Sequence, residues 1–132
     1  MRVFLSIKYH KDQSNRHLIE CIVDSLTKAG HQACCIVRDV EHWGDVAYGP
    51  KELMELTFRQ IDGSDLVLVE ITEKGVGLGI EAGYACAKGI PVVTIARRGA
   101  DIPQTLRGIS SRVLLYDACD ELPSILHQLR SI

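Results

Sequence analysis

Apolar positions follow two rhythms along this chain. Short apolar runs recur over residues 2–7, 31–37, 65–72, 91–96 and 112–116, and each has the length of a buried strand. Between them the apolar residues take helical spacing. Leu18, Ile19, Ile22, Val23 and Leu26 predict a helix over about 13–29, with Gly30 as its stop. Leu53, Met54, Leu56, Phe58 and Ile61 give a less regular face on a helix that starts at Pro50, where a first turn tolerates proline, and ends near Gly63. A third helix is predicted over 78–89, and a closing one over 120–129 with Leu122, Ile125, Leu126 and Leu129 inward. Residues 38–49 read as a polar loop carrying His42, Trp43 and Tyr48, and 97–109 as a polar connection with a helical turn near 104–107.

Strands that alternate with helices predict a parallel sheet covered on both faces. The expected architecture is a single α/β domain over 1–132, a flavodoxin/Rossmann-like three-layer sandwich with a five-stranded parallel sheet in the order 2-1-3-4-5. That order gathers the ends of the first, third and fourth strands around one crevice.

Composition changes this picture little. Hydrophobic residues make up 46% and charged residues 24% of the chain, as in ordinary globular domains. A formal net charge of −2 gives no basic excess for nucleic-acid binding. No apolar stretch approaches the ~20 residues of a membrane-spanning helix. The first strand begins without a signal-peptide pattern, and Cys21, Cys34, Cys35, Cys86 and Cys119 form no CxxC pair. The expectation is a cytoplasmic protein with reduced, buried thiols.

The informative stretch is Gly75-Val-Gly-Leu-Gly-Ile-Glu81-Ala-Gly-Tyr84-Ala-Cys-Ala-Lys-Gly89, between the third strand and a helix. A glycine-rich turn there brings backbone N–H groups to the carboxyl end of the sheet, where open α/β folds bind ligands. Glu81 is expected to stay ionised under the influence of the helix N-terminus, and to be able to act as a nucleophile. Helical spacing puts Tyr84 on the side of Glu81, able to orient the carboxylate. Glu70, at the carboxyl end of the third strand, is a further candidate. Gly75, Gly77 and Gly79 do not form a GxGxxG fingerprint after the first strand, and GxxxxGK[ST] and GxSxG are absent. The five histidines show no metal-ligand spacing, so neither a cofactor nor a metal is expected.

The segment from Gly75 to Val92 resembles the signature of the nucleoside 2-deoxyribosyltransferase superfamily, in which G-x-G-x-E-x-G-[YWR]-A carries a nucleophilic glutamate. The strand ending at Ser6, the Asp65-Leu-Val-Leu-Val strand and the 112–116 strand fall where that superfamily has them. His42-Trp43-Gly44 through Pro50 and Glu52 is most similar to cytidine monophosphate hydrolases within it. The resemblance implies cleavage of the N-glycosidic bond of (2′-deoxy)nucleoside 5′-monophosphates, with Glu81 as nucleophile and Tyr84 beside it. It implies substrate contacts from Ser6, Ile7, Lys8, Trp43, Glu70, Gly75, Gly77 and Gly79, and from Ser111 across a homodimer interface. The chain ends Leu-Arg-Ser-Ile, without the aromatic tail that the transferases place over their site. It departs from the superfamily at Thr57 and Gly75, where polar partners of the reaction are expected, unless Glu55, Glu70 or Glu73 substitutes. Three readings follow: a nucleotide N-glycosidase, a deoxyribosyltransferase exchanging bases, or a nucleotide-binding protein without turnover.

Overall fold

The computed structural model describes residues 1–131. Five parallel strands pair in the order β2-β1-β3-β4-β5. They are β1 (Arg2–Ile7), β2 (Gln32–Cys34), β3 (Leu66–Glu70), β4 (Val92–Arg97) and β5 (Arg112–Tyr116). Helices α1 (Arg16–Lys28) and α6 (Leu122–His127) cover one face. Helices α3 (Pro50–Asp62), α4 (Val76–Ala87) and α5 (Gln104–Ile109) cover the other. The expected sandwich and strand order are therefore both present.

Alternation along the strands divides the core in two. Val3, Leu5, Leu66, Leu68, Val93 and Ile95 meet Ile19, Ile22 and Leu26 of α1 and Leu122 and Leu126 of α6. Phe4, Val67, Val69, Val92 and Ala96 meet Ile61, Leu78, Ala82, Ala85 and Leu106 on the opposite side. Each valine, leucine, isoleucine or phenylalanine among them contributes roughly 1.5–3 kcal/mol when taken from water, so the sheet is fixed mainly by these two apolar layers.

The register then decides what the strand tips present. Ser6 pairs with Val69 and Ile7 with Glu70. Because neighbours along a strand point to opposite faces, Ser6 follows Phe4 toward α4, whereas Ile7 and Glu70 follow Leu5 and Leu68 toward α1.

Two boundaries differ from expectation. The run over 31–37 forms a strand only as far as Cys34, and the chain then turns into the short helix α2 (Ile36–Asp39). The Asp39 carboxylate accepts the Cys35 N–H at 2.9 Å, satisfying a donor that a longer strand would have paired with β1. Helix α4 begins at Val76, earlier than its apolar spacing suggests. Gly30, at φ +87°, closes α1 where the sequence placed a stop. The thiols are all free, and Cys34 and Cys35 are buried, but Cys86 is exposed on α4, contrary to the expectation of five buried cysteines.

Candidate active site

The site forms where β1 ends beside the start of α4. The Ser6 hydroxyl donates to Glu81 Oε1 at 3.2 Å. Glu81 is the sixth residue of α4, so its carboxylate lies beyond the first turn, where the N–H dipoles act most strongly. Burial pushes its carboxyl up from 4.5 to about 7, with the Ser6 bond holding it back. The expectation of a firmly ionised Glu81 is thus corrected: near neutrality it shares its time between two protonation states.

Gly75 caps α4 in an extended conformation, and no side chain caps the helix, so its leading N–H groups stay open to a ligand. A Cβ on Gly75 would meet Leu78 Cδ1 at 3.5 Å and Lys8 Cδ at 3.9 Å, which is ordinary contact. At Gly77 and Gly79 a Cβ would meet nothing within 4 Å. Neither residue has positive φ. The fold therefore does not require glycine at 77 or 79, and the space above them is free.

Lys8, just past β1, faces two ways. Its methylenes lie against Gly75, and it also lines a crevice of about 320 Å³ on the α1 side of the strand tips. Glu70 forms part of the crevice wall and is only 2% exposed. Its Oε2 accepts from the Tyr116 hydroxyl at 2.9 Å and its Oε1 from the Thr72 N–H at 2.5 Å. Burial and the Glu70 charge push the Tyr116 phenol well above its usual value, so it remains a donor. Arg97, at the end of β4, completes the far wall with its guanidinium 5.8 Å from the centre of the Tyr116 ring.

Sequence reasoning missed the crevice mouth. His10 Nε2 lies 2.7 Å from Glu73 Oε2, and His10 Nδ1 lies 2.6 Å from Ser14 Oγ. Asn15 holds the same loop closed, accepting the His10 N–H at 3.0 Å and donating to the Lys8 carbonyl at 2.6 Å. Ser14 and Asn15 are close to His10 in the chain, but Glu73 lies 63 residues away, and no local pattern joins it to His10. Only the position of Arg97 at a strand's carboxyl end offered a signal.

Several candidates lie elsewhere. Tyr84 turns away from Glu81: its hydroxyl donates to Asp62 Oδ1 at 2.7 Å and its ring stacks on Phe58 with centroids 4.2 Å apart. The expected orienting contact to Glu81 is replaced by a contact between α3 and α4. Trp43 does not line the crevice. Arg16 covers its ring at 4.2 Å, Tyr9 lies against it at 6.0 Å, and it borders a separate hollow of about 510 Å³ with Tyr9, Val37 and Tyr48. Ser111 stands at the start of β5, at the opposite end of the sheet from Ser6 within one chain, and its hydroxyl donates to the Val92 carbonyl at 3.2 Å. Thr57 is buried and bonded to the Leu53 carbonyl at 2.8 Å. Ile7, Lys8 and Glu70 do line the crevice together, while Ser6 and Glu81 meet on the other side of the β1 tip and Gly75 lies beside Lys8.

No family model matches the chain. A protein of Thermofilum pendens assigned as a 2′-deoxynucleoside 5′-phosphate N-hydrolase is 26% identical over 130 residues, covering 92% of this chain and 89% of that protein. The solved CMP N-glycosidase of Clostridium botulinum superposes with a TM-score of 0.68 at 21% identity, covering 99% of this chain and 98% of its own. A 2-deoxyribosyltransferase from Bacillus psychrosaccharolyticus gives 0.69 at 16% identity, covering 93% and 90%. At those identities the structural likeness is one of fold. The relative that spans nearly the whole chain is similar to it in sequence and these solved structures share its fold, in keeping with the resemblance of the segment around Glu81 to the nucleoside 2-deoxyribosyltransferase superfamily.

Proposed function

We propose that this protein is an enzyme that hydrolyses the N-glycosidic bond of nucleoside 5′-monophosphates, with Glu81 as the nucleophile. The observation that carries the reading is the Glu81 carboxylate held by Ser6 beside an uncapped helix start with free space over Gly77 and Gly79. The name of the Thermofilum pendens relative specifies the same bond in a 5′-phosphorylated substrate.

Each part of the site has a task in this reading. The 5′-phosphate is held by Lys8 and the N–H groups at the start of α4, a position favourable to anions. Glycines at 77 and 79 let the phosphate approach the backbone. The sugar then lies over the tip of β1 with C1′ facing Glu81. Ionised Glu81 forms a bond to C1′ as the bond from C1′ to the base nitrogen breaks, and the electron pair leaves with the base, which takes up a proton from water. Water next attacks C1′, gives its proton to solvent, and releases the sugar 5-phosphate with Glu81 restored. Ser6 stabilises the carboxylate before attack and again after release. Ser111 of a second copy would supply a further phosphate contact in a homodimer.

A transferase differs only in the second step, where an incoming base replaces water. A binding protein without turnover is favoured by one observation: Thr57 is buried and its hydroxyl is already bonded to Leu53, leaving α3 without an acid or base at that position.

Base release separates the three readings. The protein is incubated with ribo- and deoxyribonucleoside 5′-monophosphates and with free nucleosides, with and without an acceptor base, and products are followed by chromatography. Free base that disappears in Glu81→Ala is the expected result. Exchange seen only with an acceptor base would move the assignment to the transferase. Nucleotide binding without release from any substrate would overturn catalysis altogether.

A further inference from the structure

The reaction just described leaves the crevice beyond Lys8 unused. Its position is specific. Lys8 is the wall shared by the two sides of the β1 tip, so a phosphate held between Lys8 and the start of α4 stands at the crevice entrance. Anything attached to that phosphate on the side away from the nucleoside is directed into the crevice.

The lining shows what attachment would fit. Across three adjacent strand ends it presents a cation at Lys8, a carboxylate at Glu70 and a cation at Arg97. Glu70 is nearly inaccessible, and among the described residues no cation comes within ion-pair distance of it. Tyr116 and Thr72 supply it with one donor for each oxygen, whereas a carboxylate accepts about four hydrogen bonds. Acceptor capacity thus remains on a buried charge, which favours a ligand bearing donors. At the mouth Glu73 offers further acceptor capacity, with His10 bonded to it. Arg97 makes no ion pair among the described residues and borders the same space. The volume of about 320 Å³ is at the small end of ligand sites and leaves room for a sugar with a phosphate.

We infer that the substrate class is nucleotides extended at the 5′ end, in which the 5′-phosphate continues through a second phosphate into a hydroxylated group. Arg97 pairs with the second phosphate, and Glu70 and Glu73 accept from the hydroxyls. This inference rests on the placement of the first phosphate at Lys8 given above, and it does not depend on turnover.

The test compares binding by calorimetry for matched pairs: AMP with ADP and ADP-ribose, and UMP with UDP and UDP-glucose. The chain carrying Glu81→Gln is used so that no ligand is consumed. At least one diphosphate sugar is expected to bind tenfold or more tighter than its monophosphate. Arg97→Ala should abolish the advantage of ADP or UDP while leaving the monophosphate affinity within twofold. Glu70→Gln should weaken the sugar-bearing ligands and leave the plain diphosphates unchanged. Equal or weaker binding of every extended ligand overturns the inference, as does an Arg97→Ala loss shared equally by monophosphates and diphosphates. Base release from monophosphates with no gain on extension would keep the hydrolase reading and remove this one; a gain in binding without any base release would do the reverse.

Discussion

Holding Glu81 ready for attack should make the folded protein less stable, and the size of that effect follows from the site. Burial raises the Glu81 carboxyl from 4.5 to about 7. A shift of one unit is worth about 1.4 kcal/mol, so the upper limit is about 3 kcal/mol, and partial access to water reduces it to roughly 1–2 kcal/mol. The sign is fixed by proton binding. Between pH 4.5 and 7 the folded chain holds the Glu81 proton and the unfolded chain does not, so stability falls as pH rises through this range: the penalty is absent below 4.5 and complete above about 7. Glu81→Gln removes the ionisation while keeping a side chain of similar shape. The variant should match the native protein at pH 5 and exceed it at pH 8 by roughly 3–8 °C in Tm, while releasing no base. The assay is thermal unfolding of both proteins from pH 4 to 9, followed by circular dichroism. Two curves that stay parallel from pH 5 to 8 would refute the argument, because the carboxylate would then not be desolvated. The same titration should give base release an acid limb with a midpoint near 7.

Ser6→Ala should raise the Glu81 carboxyl further, since the lost bond favours the charged form, and move the acid limb to higher pH. An unchanged limb would show that Ser6 does not act on the carboxylate. Gly77→Ala adds helix propensity of roughly 0.5–1 kcal/mol with nothing in the way, yet sets a methyl where the phosphate must approach. It should raise Tm and weaken nucleotide binding, and tighter binding would place the phosphate elsewhere. Tyr84→Phe should lower Tm slightly through the lost Asp62 bond and leave kcat within twofold; a hundredfold loss of kcat would restore it as a catalytic group. Gly30→Ala should destabilise by about 1 kcal/mol or more, because its φ of +87° is strained for alanine and its Cβ would stand 2.7 Å from Arg130 Nη2. Urea unfolding measures that difference.

Most of the fold was legible because its signals are local. Gly30 and Pro50 mark helix ends through backbone constraints that act wherever the residues stand, and Leu66-Val-Leu-Val declares a strand buried on both faces. The run Ala33-Cys-Cys-Ile-Val was misleading, because buried residues on one turn of helix look the same as a buried strand until Asp39 folds back on Cys35. The site was legible in part. Glu81 stood out through the glycines before it, but its protonation depends on burial and on its place within the helix, neither of which spacing records. Tyr84 was misjudged because helical neighbours share a side of the helix only broadly, and Asp62 and Phe58 on α3 draw it away. His10, Glu73 and Arg97 come from three different loops and strand ends, so their meeting is a property of the sheet order.

The opposed directions of Ser6 and Ile7 make the first strand an unusually unforgiving place for a length change. A deletion or insertion of one residue before Ser6 would keep the strand paired and hydrophobic, yet exchange the two side chains between the faces. After a deletion isoleucine would stand against Glu81 and serine would enter the α1 core, and after an insertion the serine would likewise leave the Glu81 side, inverting the chemistry of the tip with almost no change in composition. The same edit a few residues later, among Lys11, Asp12 and Gln13, falls in exposed chain and alters no side-chain direction in the sheet. Length variation in proteins descended from this one should therefore be confined to the loop after β1, and the interval from Val3 to Ser6 should be kept as a fixed ruler.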